Sequence, residues 1–151
     1  MLAFYTKTPT DPSARQSAVR DLLTAAGLKA TRQRMGLACL LFGGPHRHFT
    51  AEELHHEALS ARMPVSLATI YNSLRLFCDA GLVRSVVVDP SRAYFDTNVS
   101  DHFHFFNEED GAIYDVPDGA LDAPVVPQPP DGYVIERVDV VVRLRRRDSQ
   151  Q

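Results

Sequence analysis

The hydrophobic period of this chain changes once, near Gly81, and that change limits the fold more than any other feature. Before it, apolar residues recur at helical spacing. After Ser66, an N-cap residue type, Leu67, Ile70, Leu74 and Phe77 fall at i, i+3, i+7 and i+10, one continuous stripe for a core. Thr50-Ala51-Glu52-Glu53 is a capping box opening another helix, whose buried side reads as Ala51, Leu54, Ala58 and Leu59. Thr31 caps a helix carrying Met35, Leu37, Ala38, Leu40, Leu41 and Phe42, which Gly43-Gly44-Pro45 stops. Upstream, a helix from Ser13 uses Val19, Leu22 and Leu23, with Gly27 as its C-cap.

After Gly81 the pattern is that of strands. Val83–Val88 and Ala93–Asp96 flank the turn Asp89-Pro90-Ser91-Arg92, which predicts one hairpin. Phe103–Phe106 and Ala112–Val116 flank Asn107–Gly111 and predict a second. Five prolines between 117 and 132 argue against a long helix there, and the β-branched-rich run Tyr133–Leu144 reads as a strand. Pro9, Thr10, Asp11 and Pro12 mark residues 1–12 as a flexible arm, and 145–151 is a charged tail.

Several classes drop out. No run approaches the roughly 18 apolar residues of a membrane helix, and Met1–Lys7 lacks the charged-then-apolar order of a secretory signal. A soluble, cytoplasmic chain with no membrane partner is expected. Cys39 and Cys78 are the only cysteines, far apart in helical patterns, which excludes a disulfide framework and a CxxC zinc site. No GxxxxGK or GxGxxG occurs.

The net charge of −3 conceals an asymmetry. Residues 15–85 carry nine Lys/Arg against five Asp/Glu, whereas 86–142 carry two against twelve. A basic half followed by an acidic half implies one partner that is a polyanion and another that is a cation.

Three helices and a hairpin in this order make a winged helix, with a short helix-turn-helix link at Met63-Pro64-Val65. The expected fold is therefore α+β. A winged-helix DNA-binding domain spans 13–97, and a small α/β dimerisation and effector-binding domain spans 98–144. In such a module the second helix of the motif enters the major groove. Here it offers Ser66, Thr69, Tyr71 and Asn72 at its start and Arg75 a turn later, groups that bond phosphates or base edges. Pattern alone leaves a plain solvated helix equally open.

The blocks Gly27–Arg34, His48–Leu54, Pro64–Leu74, Phe77 and Ala80–Val83, continued through Tyr94-Phe95-Asp96, His102, His104 and Gly111, closely resemble the ferric uptake regulator family. Further stretches, 94–106 and 137–144, are similar to its iron response regulator branch. The resemblance implies a homodimeric transcription regulator binding AT-rich inverted repeats of double-stranded DNA. It places Lys29 at a minor-groove position and Arg34, Ser66, Thr69 and Tyr71 at DNA-contacting positions. Asn72 departs from the arginine common in the iron-repressor branch, so a different operator is expected.

The candidate metal ligands are His48, Asp96, His102, His104 and Asp115. His102 and His104, two apart on a strand, share a face. His48 is read as lying in the loop before the third helix. A ligand set from both halves would let metal occupancy fix the angle between reader and dimer domain. Mixed imidazole and carboxylate donors suit Mn²⁺, Fe²⁺ or Zn²⁺ without choosing among them, and ordinary polar strand residues are the rival explanation. By resemblance all five positions fall on the family's regulatory site. The paired aspartates also resemble the peroxide-sensing branch. Asn107 and Asp110 stand where the family's structural-zinc CxxC would begin, so that zinc is not expected. The iron response branch carries a His-His-His run implicated in heme sensing. Phe103 replaces its middle member, leaving His102 and His104 as candidate heme ligands.

The function expected is an iron-responsive regulator of iron and heme metabolism genes, with a peroxide-sensing repressor as the alternative. A metal-dependent hydrolase using Glu108 or Glu109 has no motif behind it, so no enzyme is expected. His46, His55 and His56 are read as facing water, and Cys39 and Cys78 as core residues.

Overall fold

The computed structural model describes residues 11–147. Residues 1–10 of the expected arm and 148–151 of the expected tail lie outside the described residues. The chain divides into two compact units, Met1–Val99 and Ser100–Gln151. The class is α+β.

The first unit holds four helices, α1 (Pro12–Ala25), α2 (Arg32–Phe42), α3 (Ala51–Ser60) and α4 (Leu67–Asp79). Each begins where a side chain satisfies an orphan amide. Asp11 accepts from the Ala14 amide, and Pro12 takes the first helical position, where its missing N–H costs nothing. The two residues read as breakers thus start a helix. Thr31, Thr50 and Ser66 cap α2, α3 and α4, with the reciprocal Thr50–Glu53 capping box in place.

Three of the helices end alike. After α1, α3 and α4 the amides of Leu28, Met63 and Leu82 reach back to the carbonyls of Leu23, Ala58 and Phe77. This closure needs a left-handed residue one position earlier. Glycine supplies it at Gly27 and Gly81, but after α3 the residue is Arg62, at φ 57°. Gly27 is therefore the residue after the cap, and Ala26 is the cap itself.

The core gathers Leu23, Leu37, Leu41, Leu54, Ile70, Leu74 and Phe77, all essentially inaccessible. Leu59 is 51% exposed, so it does not belong to the buried side of α3. Leu67 is only half-buried and Ser73 takes a buried place on α4. A three-stranded antiparallel sheet completes the unit in the order β1 (His48–Thr50), β3 (Tyr94–Asp96), β2 (Arg84–Val86). The β2–β3 hairpin matches the first one expected, with shorter strands.

The second unit is a sheet of order β5 (Ile113–Asp115), β4 (His104–Asn107), β6 (Val141–Leu144). β4 and β5 form the expected second hairpin; β6 runs parallel to β4. It contains no helix among the described residues, where a small α/β domain was expected, and its prolines explain why. Of the long run Tyr133–Leu144 only the last four residues form a strand, aligned with the four residues of β4, and the Val140 carbonyl accepts the His104 amide just before it. No helix among the described residues is long and apolar enough to cross a membrane.

Candidate functional site

Strand register positions the first donor pair. β1 and β3 align His48 with Asp96, and β2 aligns Arg84 with the same residue. His48 Nε2 lies 3.2 Å from Asp96 Oδ2, and the Asp96 side chain is 1% exposed. The Asn98 amide donates to Asp96 Oδ1 at 2.8 Å, fixing the carboxylate. His48 therefore lies on a strand, not in the loop predicted. Its strand is three residues long and forms only against β3, so no local periodicity announces it.

The neighbouring residues hold this rung in place. The Arg47 amide donates to Thr97 Oγ1, and the Thr97 amide donates back to the Arg47 carbonyl. The Arg47 guanidinium forks onto both Glu57 oxygens at 2.7 and 2.8 Å and lies over the Phe49 ring. His46 is exposed as expected, its Nδ1 3.4 Å from Thr97 Oγ1.

The second donor set lies wholly in the other unit. β4 and β5 align His104 with Asp115. His102 Nε2 and His104 Nε2 lie 3.2 and 3.8 Å from Asp115 Oδ1, and all three residues offer ligand atoms within 4.8 Å of one another. The two rings meet edge to face at 4.4 Å, so they do share a side. His102 Nδ1 lies 2.8 Å from the Ser100 carbonyl oxygen. A carbonyl only accepts, so Nδ1 carries the proton. In the neutral ring this turns the Nε2 lone pair toward a carboxylate oxygen, an arrangement that a cation between them stabilises. The residues present fit a divalent metal on that ground.

The DNA candidates sit as follows. Lys29 is exposed in the α1–α2 turn, and Arg34 Nη1 donates to its carbonyl at 3.1 Å. Ser66 accepts from the Thr69 amide, and their hydroxyls are 2.9 Å apart. Tyr71, Asn72 and Arg75 are exposed on α4. The Tyr71 hydroxyl donates to Glu52 Oε1 at 2.9 Å, and this bond to a carboxylate pushes the phenol above its ordinary range.

Sequence reasoning missed Glu52 and His55. His55 does not face water: it is half-buried, with Nε2 2.8 Å from the Val65 carbonyl. Capping-box logic assigns a helix start to this segment but says nothing of what its outer positions touch. His56 is exposed. The proposed hydrolase acids are engaged elsewhere, Glu108 with Arg143 at 2.7 Å and Glu109 with Arg146 at 3.9 Å. Cys39 and Cys78 are half-buried, and burial pushes both thiols up.

The chain thus offers a helical unit with a polar exposed helix face and a strand unit with imidazole and carboxylate donors grouped on it. The profile of the ferric uptake regulator family matches residues 25–131, and the chain belongs to that family. Its members are transcriptional regulators and not enzymes. The peroxide-responsive repressor PerR of Staphylococcus epidermidis is 40% identical over 94 residues, 62% of this chain and 61% of that protein. The chain thus spans less than two thirds of the length of that relative. The ferric uptake regulator from Pseudomonas aeruginosa with manganese superposes with a TM-score of 0.65 at 24% identity, covering 84% of this chain and 96% of that one. The Vibrio cholerae ferric uptake regulator gives 0.64 at 20% identity, over 83% and 98%. These two likenesses concern the fold.

Proposed function

We propose that this chain is a homodimeric, cytoplasmic DNA-binding regulator switched by a divalent cation. The observation that carries the proposal is the grouping of His102, His104 and Asp115 around one point. Three protein donors are short of the four that close a tetrahedral site, and His48 with Asp96 supplies two more. We assign all five to one Mn²⁺, Fe²⁺ or Zn²⁺. Bound there, the ion would neutralise both carboxylates and favour whichever arrangement of the two units holds all five donors. Unit one reads DNA as a winged helix. Ser66, Thr69, Tyr71, Asn72 and Arg75 face an AT-rich inverted repeat, with Lys29 and Arg34 at the flanking backbone and minor groove. Iron-dependent control of iron and heme genes is the assignment by family resemblance.

A second reading, peroxide sensing, is favoured by the 40% identity to a peroxide-responsive repressor and by the pairing of two aspartates with three histidines. Heme is the lesser effector. His102 and His104 both turn Nε2 to the same carboxylate, which suits a compact cation better than a macrocycle.

Fluorescence anisotropy on an AT-rich inverted-repeat duplex tests the proposal. Binding that requires Mn²⁺ and is lost in His104→Ala supports it; binding indifferent to both sinks it. Treating the iron-loaded protein with peroxide separates the two readings. Gain of one oxygen atom on His48 or His102, seen by mass spectrometry, selects the peroxide sensor. Unchanged histidines select the iron sensor, and release of DNA by added heme would restore the macrocycle.

A further inference from the structure

Helices α3 and α4 meet at more than their apolar faces. Glu52 and His55 lie one turn apart on α3, hence on one side of it. Both reach the start of α4. Glu52 Oε1 accepts the Tyr71 hydroxyl at 2.9 Å. His55 Nε2 donates to the carbonyl of Val65, the residue before the N-cap Ser66, at 2.8 Å. The first contact adds nothing to the core, since Glu52 and Tyr71 are both exposed. A carboxylate beside a surface that meets phosphates also opposes binding. Its place there is explained by what it does to the tyrosine: a ring tied to a charged acceptor has lost rotamer freedom before DNA arrives.

We infer that Glu52 and His55 are positioning residues for DNA reading, Glu52 fixing the Tyr71 ring and His55 fixing the turn that presents Ser66 and Thr69. The inference rests on the DNA-reading function proposed above. Neither residue touches DNA; each acts through a residue that does. Their effect is therefore on selectivity for sequence more than on general attraction to a polyanion.

The test uses the full chain with Mn²⁺ and the variants Glu52→Ala, Glu52→Gln, His55→Ala and His55→Gln. Anisotropy gives the affinity of each for the AT-rich repeat and for a random-sequence duplex of equal length. Each alanine variant is expected to lose about three- to tenfold of the preference for the repeat, the cost of ordering one side chain or turn on binding. The glutamine variants restore most of it, because an amide can still accept from the phenol or donate to the carbonyl. Random-duplex affinity holds or rises in Glu52→Ala, which removes a negative charge. Unchanged preference in the alanine variants, or glutamine variants no better than alanine, overturns the inference.

Ultraviolet titration of the free protein supplies a readout independent of DNA. Tyr71, identified by its loss in Tyr71→Phe, should ionise above the ordinary tyrosine range and fall back toward it in Glu52→Ala. A titration identical in both proteins shows that Glu52 does not hold the ring. A wild type that binds both duplexes equally or neither overturns the DNA-reading function itself, while the titration still reports on the Glu52–Tyr71 bond.

Discussion

The two units differ in how far each completes its own interior. Unit Met1–Val99 buries Leu23, Leu37, Leu54, Ile70 and Phe77 entirely, on four helices whose ends are all capped. Among the described residues of unit Ser100–Gln151, only Phe106 and Val116 are buried apolar side chains. Tyr114, Leu121, Val125, Tyr133, Val134 and Ile135 stay exposed, and two of its most buried side chains are imidazoles that point at a carboxylate. A helical unit with a core of its own is joined to a strand unit that lacks one. The second unit is of the kind that a bound cation and a second copy would complete.

That contrast breaks most readily at the core. Leu74→Ala should cost about 2–5 kcal/mol, read as a lower urea midpoint by far-ultraviolet circular dichroism, which follows the helices. Val134→Ala, at a residue 89% exposed, should stay within about 0.5 kcal/mol in the monomer. Equal costs would erase the distinction. Next in size is the metal effect. His104→Ala should weaken Mn²⁺ binding by at least the roughly 10- to 100-fold that follows loss of an outer-shell partner, measured by titration calorimetry. Asp96→Asn should cost as much if one ion uses both donor sets, and an unchanged affinity would mean that each unit binds separately. Thr50→Ala removes the capping box and should cost about 1 kcal/mol of helix-unit stability in the same urea experiment. The smallest effect is a gain. Arg62→Gly relieves a left-handed side chain worth about 1–2 kcal/mol, offset by about 0.5–1 kcal/mol of glycine entropy. A net stabilisation of about 0.5–1 kcal/mol is expected, and a loss would show that the Arg62 side chain has work of its own.

Helices were legible in the sequence because their signals are local. Thr31, Thr50 and Ser66 announce their helices within three residues, and the Leu67–Phe77 stripe needs no partner to be seen. His102, His104 and Asp115 were legible for a similar reason, since a period of two and one hairpin bring them together. What escaped depended on distant pairing. β1 exists only because β3 lies beside it, and the strand read over Tyr133–Leu144 forms only in the stretch that β4 flanks. Leu59 fits the apolar period of α3 yet is left uncovered, because period reports spacing and not whether a neighbour arrives. His55 was misplaced for the converse reason: its acceptor is a backbone carbonyl, which no side-chain pattern encodes.

The rung His48–Asp96–Arg84 sits at one end of its sheet, and the hairpin tip at Asp89–Arg92 lies beyond the other. Residues can therefore be gained or lost at the tip without shifting the register that seats Asp96. The tip can change in length or composition while Asp96 keeps its place beside His48 and Arg84. The two ends of a single three-stranded sheet are thus mechanically uncoupled: one can vary while the other holds its register.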